Sequence, residues 1–198
     1  MEIVVFGASR GVGRQVVDQA LEGGHRVTAF SRTGPDLAHP GLRVVRGDVL
    51  DPAALETALA GQQAAVIALG AGNTAEGRVR SLGTQSVVEA MRRVGVRRAV
   101  AVSSFGVGDS RRGPVAAMAW VFLRAALEEH ERQEEILRES GLDYTIVRPT
   151  GLTDGPRTGR YKVGSSGSGR ISRADVAEFV LRVLPDPQWH GRAVVVSS

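Results

Sequence analysis

Apolar and mixed segments alternate along the chain in a regular way. Short apolar runs rich in β-branched residues recur at Ile3–Phe6, Arg26–Phe30, Leu42–Arg46, Ala64–Leu69, Ala99–Val102, Tyr144–Val147 and Ala193–Val196. Runs of this length, apolar on both faces, predict strands of a parallel sheet covered on each side. The longer segments between them predict helices over Gly13–Glu22, Pro52–Ala60, Arg78–Val94, a long one within Val115–Ser140, and Arg173–Leu184. Two helix starts carry their own signals. Asp51-Pro52 reads as an N-cap followed by the first helical position. Ser172 reads as a cap with Asp175 at the third helical position.

Strand–helix alternation with short links implies an α/β fold with a doubly wound, mostly parallel sheet of about seven strands. Right-handed crossovers restrict the strand order to the Rossmann type, 3-2-1-4-5-6, with the seventh strand at one edge. No repeat or linker divides the 198 residues, which suits a single domain with one core. Substrate loops are expected at about 105–115 and 151–170. The Gly/Ser-rich stretch 164–169 (GSSGSG) reads either as a mobile loop beside the site or as a disordered tip.

Composition removes several function classes. There is no cysteine, which excludes disulfides, zinc-thiolate sites and thiol catalysis. The four histidines (His25, His39, His130, His190) show no metal-ligand spacing, so no metal is expected. No apolar run approaches the roughly 20 residues that span a bilayer. No basic segment precedes the first apolar run, so a cytoplasmic protein without a membrane partner is expected. Net charge is +4 and Lys162 is the only lysine. The arginines are dispersed among acids, which points to a solvated surface rather than a nucleic-acid face. A monomer or small homo-oligomer acting on a small molecule fits this balance.

The candidate chemistry starts at the first strand end. Gly7, Ala8, Ser9, Arg10, Gly11, Val12 and Gly13 form a strand–turn–helix junction of the kind that seats a dinucleotide pyrophosphate on a helix N-terminus. Gly7 lets the chain leave the strand, Gly11 lets backbone approach phosphate, and Gly13 lets the helix lie close to the sheet. The second strand ends at Arg32, where an acid would hydrogen-bond a ribose 2′-hydroxyl. Arg32 and Arg10 can instead converge on a 2′-phosphate. Charged hydrogen bonds contribute ~1.5–3 kcal/mol each, so even one would favour NADPH over NADH by about ten-fold or more. The plainer alternative is that both arginines point into water.

The other strand ends complete the ring around a cofactor. Asp48 can accept from an adenine amino group while Val49 covers the ring; alternatively Asp48 only caps the approach to a helix. Leu69, Gly70 and Ala71 suggest close backbone approach to a ribose. Ser103, Ser104, Pro149 and Thr150 end the two strands that would flank the nicotinamide.

GASRGVG resembles the NADP-binding turn of the short-chain dehydrogenase/reductase superfamily, in which the arginine at the place of Arg10 helps bind the 2′-phosphate. Most members carry a Tyr-x-x-x-Lys pair, but here Tyr144 is followed by Arg148 and Tyr161 by Ser165. Three further segments carry a resemblance to the atypical NmrA-like branch, closest to flavin reductase/biliverdin-IXβ reductase. They are GDVLD at 47–51, AVSSFG at 101–106, and the long stretch EEHERQEEILRESGLDYTIVRPTGLTDGPRTGRYKV at 128–163. The chain departs from that pattern in the spacing of its glycine turn and at Thr150 and Glu134, where the branch has histidines.

The resemblance implies an NADP(H)-dependent oxidoreductase acting on a flavin, quinone or tetrapyrrole-like acceptor. It also implies Ser104 as a hydroxyl near the nicotinamide and His130 as a proton relay. Ser104 could instead bond only to backbone, and His130, between Glu129 and Glu131, could simply face solvent. Two other activities stay open: an NADP(H)-sensing regulator without turnover, and a nucleotide-sugar epimerase. The epimerase is disfavoured by the missing tyrosine pair and by the little chain left for a substrate domain.

Overall fold

The computed structural model describes residues 1–70, 78–111 and 113–198. The apolar runs form a sheet built from β1 (Glu2–Phe6), β2 (Arg26–Ser31), β3 (Leu42–Arg46), β4 (Ala64–Ile67), β5 (Arg98–Val102) and β6 (Asp143–Pro149). Two shorter strands, β7 (Gly151–Thr153) and β9 (Arg170–Ser172), pair with each other apart from it. On the far side of β6 come β10 (Arg192–Ser197) and then β8 (Lys162–Gly164).

The order β3-β2-β1-β4-β5-β6-β10-β8 contains the expected 3-2-1-4-5-6 core with a parallel seventh strand beside β6. The eighth strand, β8, is antiparallel and lies within the stretch read as substrate loop, because its sequence KVG is too short and polar to signal a strand. The outermost strands are not covered on both faces as the inner ones are. β3 exposes Arg43, Val44 and Arg46, and all of β8 is exposed. Charged edge positions discourage pairing with another chain.

Helices cover both faces. α1 (Gly11–Glu22) and α5 (Arg173–Val183) pack together on one face over Val16, Phe179 and Val180. α2 (Pro52–Leu59), α3 (Val79–Val94) and α4 (Gly113–Arg138) cover the other over Leu55, Val87, Met91 and Leu137. The predicted caps form: Asp51 accepts from Ala53 N at 3.0 Å, and Ser172 Oγ accepts from Asp175 N at 2.9 Å. α4 bends at Leu123, whose φ of −121° and ψ of 19° are not helical. No described helix is long and apolar enough to cross a membrane.

Candidate nucleotide and acceptor cleft

The strand order reverses on either side of β1, and a cleft of about 1630 Å³ opens over the carboxyl ends of the strands there. Its first wall is the glycine turn. Gly7 N and Ala8 N both donate to Phe30 O, at 3.0 and 3.3 Å, which folds the chain sharply out of β1. A Cβ on Gly7, at φ +87°, would sit 2.3 Å from Ala68 O, and one on Gly13 would sit 2.3 Å from Gly7 O. The turn and the first helical turn are therefore locked against each other and against β4, with no room for a side chain at either place.

α1 begins at Gly11, two residues earlier than expected, with Arg10 as an extended N-cap (φ −158°, ψ 174°). Arg10 makes no side-chain cap bond and the first turn holds no acid, so the leading N–H groups keep no intrahelical partner. That is an electropositive helix end, open to an anion. Gly7, Ser9, Arg10, Gly11 and Val12 line the cleft. Ala8 and Gly13 do not; Ala8 is fully buried in the core and Gly13 faces Gly7, so these two shape the turn from behind.

Arg32 lines the cleft beyond β2, exposed like Arg10. Asp48 also lines it, but its Oδ1 accepts from Leu50 N at 2.9 Å, the local turn that the plainer alternative anticipated. Val49 beside it is buried and faces the same space, as do Leu69 and Gly70. Ala71 lies outside the described residues.

At the other end Ser103, Ser104, Pro149 and Thr150 meet. Ser104 Oγ donates to Phe105 O at 3.1 Å, so its hydroxyl is spent on backbone here. Ser103 Oγ points away, donating to Glu134 Oε1 at 2.7 Å. Thr150 Oγ1 is buried without a hydrogen-bond partner among the described residues. α4 supplies Leu123, at its bend and more than half exposed, and Leu127 and His130 from one inward stripe. His130 thus faces the cleft and not open solvent, and its Nδ1 is buried and meets no hydrogen-bond geometry among the described residues. Burial, reinforced by the nearby Arg80 guanidinium and opposed by Gln133, pushes its pKa down to about 3. The ring is neutral at physiological pH, so it offers a hydrogen bond but no stored proton.

The next residue of that stripe, Glu134, is fully buried under the site. It accepts from Ser103 Oγ, from Arg148 Nε (2.9 Å) and Nη2 (2.7 Å), and from Arg138 Nη2 (2.6 Å). Arg148, 1% exposed, also donates to Asp109. Burial alone would lower its pKa, but Glu134 and Asp109 more than offset that and hold it raised. The hydrogen bond from Arg148 holds Asp109 below the usual carboxylate range. This network ties β5, β6, α4 and the loop after β5 into one unit. Neither tyrosine joins the cleft: Tyr161 packs edge-on against Phe179, and Tyr144 against the other core cluster.

Residues 7–187 match the protein-family model described as NAD(P)H-binding. The chain belongs to this NAD(P)H-binding family. An uncharacterized chloroplastic protein of Arabidopsis thaliana is 32% identical over 92% of this chain and 71% of its own length. Several further curated relatives are longer, and the chain spans 52–59% of them. Among solved structures, ChuY, an anaerobilin reductase from Escherichia coli O157:H7, is 27% identical with a TM-score of 0.81, covering 100% of this chain and 97% of that one. A short-chain dehydrogenase/reductase from Veillonella parvula, solved with NADP, shares the fold with a TM-score of 0.86 at 22% identity, over 100% of this chain and 94% of that one.

As a family member the chain has a cleft that fits the cofactor: two glycines that no Cβ could replace, an uncapped helix end, and arginines at its rim. Sequence reading missed one of those cationic residues. Arg173 lines the cleft at the start of α5, with Nε 3.9 Å from where a Cβ on Gly11 would lie. Only the packing of α5 on α1 brings it there, and no local signal announces that. Arg80 and the α4 leucines reach the cleft by the same kind of tertiary convergence. The stretch 164–169 lies beside the site. Gly167, Ser168 and Gly169 line the cleft, with Gly167 seated against Val195 and Ser197 of β10.

Proposed function

We propose that the protein is an NADPH-dependent reductase that delivers hydride to a flat conjugated acceptor such as a flavin, a quinone or a linear tetrapyrrole. The observation that carries this reading is the continuity of the cleft. One cavity is lined both by the glycine turn and by Leu123, Leu127 and Phe105. The nicotinamide, when bound, supplies the hydride.

The chain's part is to hold and orient. The N–H groups of Gly11 and Val12 face the phosphates, with Arg173 beside them, and Arg10 and Arg32 take the 2′-phosphate. Pro149 supports the nicotinamide edge. The α4 leucines and Phe105 press the acceptor ring onto it and exclude water, and such stacking supplies the proximity on which the rate depends. A conjugated ring spreads the incoming charge, so a hydrogen bond from Ser104 or from neutral His130 suffices where a carbonyl would need a strong acid.

The test is a mixture of protein, NADPH and each of FMN, riboflavin, quinones and biliverdins, followed at the nicotinamide absorbance band. Turnover with any acceptor supports the reductase. One pair of observations favours a second reading, an NADP(H)-sensing regulator without turnover. The Ser104 hydroxyl is engaged with backbone, and His130 holds no proton to give. Tight NADPH binding with no turnover across the whole panel selects that reading.

A further inference from the structure

The acceptor end of the cleft holds a cation that its described surroundings do not answer. Arg80, in the first turn of α3, is 7% exposed and lines the cleft. A guanidinium carries five N–H donors in a planar fork. Among the described residues Arg80 makes one hydrogen bond, from Nε to Leu69 O at 3.3 Å. The carboxylate whose field reaches it, Glu129, is already occupied. Ser81 Oγ and N donate to Glu129 Oε2 at 2.9 and 3.3 Å, and Arg132 Nη1 donates to Oε1 at 2.8 Å. Burial accordingly lowers the Arg80 pKa, and Glu129 only partly offsets it.

Two more polar groups on the same cleft lack partners among the described residues. Thr150, 6% exposed, has an unpartnered Oγ1, and His130, which feels the Arg80 charge, has an Nδ1 that meets no hydrogen-bond geometry, with Gln133 as its polar neighbour. Buried polar atoms are normally satisfied, and a buried cation whose counter-charge is shared with other donors is costly. Three such groups lining one cleft point to a ligand that completes them. The surrounding wall is apolar: Leu82, Leu123, Leu127 and Phe105. The glycine turn leads into α1 on one face of the sheet, whereas Arg80 and His130 come from α3 and α4 on the other. The cation therefore stands apart from the phosphate turn, close enough to His130 for that ring to feel its charge.

We propose that this end of the cleft is a carboxylate subsite, in which the Arg80 fork receives both oxygens of an acid group carried by a flat apolar acceptor, with His130 and Thr150 as neutral partners. A planar carboxylate matches the fork, and the apolar wall takes the ring that bears it. The identity of that ring as a hydride acceptor rests on the reductase reading; the anion site itself needs no turnover.

The experiment is equilibrium calorimetry with anthraquinone-2-carboxylate and anthraquinone-2-carboxamide, on the protein saturated with NADP⁺ and on the protein alone. The carboxylate is expected to bind about ten-fold tighter or more than the carboxamide at neutral pH, the size of one charged hydrogen bond. Arg80→Gln erases that preference and leaves NADP⁺ binding unchanged, while Arg80→Lys keeps part of it. Equal affinity of wild-type protein for the two probes, or no binding of either, overturns the proposal without reference to any variant. A loss of NADP⁺ affinity in Arg80→Gln with the probe preference intact assigns the cation to the cofactor and also overturns it. Absence of NADP⁺ binding by wild-type protein defeats the reductase reading instead, and the probe preference is still read on the protein alone.

Discussion

Arg32 and Arg10 stand where the choice between the two nicotinamide cofactors is made, both exposed at the rim of the cleft and free to close on a phosphate. If they serve the 2′-phosphate, Arg32→Ala weakens NADPH by about ten-fold or more and leaves NADH almost unchanged; calorimetry with both nucleotides reads this, and equal losses contradict it. His130 makes a different prediction. Its folded pKa of about 3 lies below the ordinary 6.5. Between those values the unfolded chain takes up a proton that the folded chain refuses, so this group removes stability as pH falls below 6.5. Urea unfolding of His130→Gln is expected to lose less stability than wild type over that range, and parallel curves would show that the ring is not buried neutral. For the same reason no limb of a pH–rate profile near 6.5 belongs to His130. Arg32 was legible in the sequence because a strand end fixes its place. Arg80 was not, because it begins a helix and looks like any solvated arginine there.

The glycine turn and the buried charge network are the two elements on which the site depends. Gly13→Ala forces a Cβ into Gly7 O, and neither backbone can yield without moving α1 off the sheet. The expected outcome is loss of measurable NADPH binding together with a lower urea midpoint; a variant that binds NADPH as wild type does would contradict the close packing seen here. Glu134→Ala removes the shared acceptor of Ser103, Arg138 and Arg148 and strands a guanidinium that is 1% exposed. Breaking a buried pair from one side costs about 3–5 kcal/mol, measurable as a fall in unfolding free energy. The helices, caps and strand–turn–helix junction were readable from capping residues and apolar runs alone. The network was not. Arg148 interrupts the apolar run TIVRP and Glu134 lies in a highly charged helix, and only tertiary packing brings the two together. β8 and β9 escaped for the opposite reason, since strands of three residues carry too few side chains for a pattern.

At the scale of the whole molecule, the strand order follows from handedness and short connections, and the order alone puts the cleft at the reversal beside β1. That is why the position of the site could be read before its chemistry. What fills the acceptor end depends on α3, α4 and the segment between β6 and β10 converging from distant parts of the chain. The account as a whole rests on a reduced dinucleotide held along that cleft. Its most direct test is calorimetric titration of the purified protein with NADPH and, separately, NADH. Saturable binding with a clear preference for NADPH is predicted. No saturation with either nucleotide at millimolar concentration would contradict it.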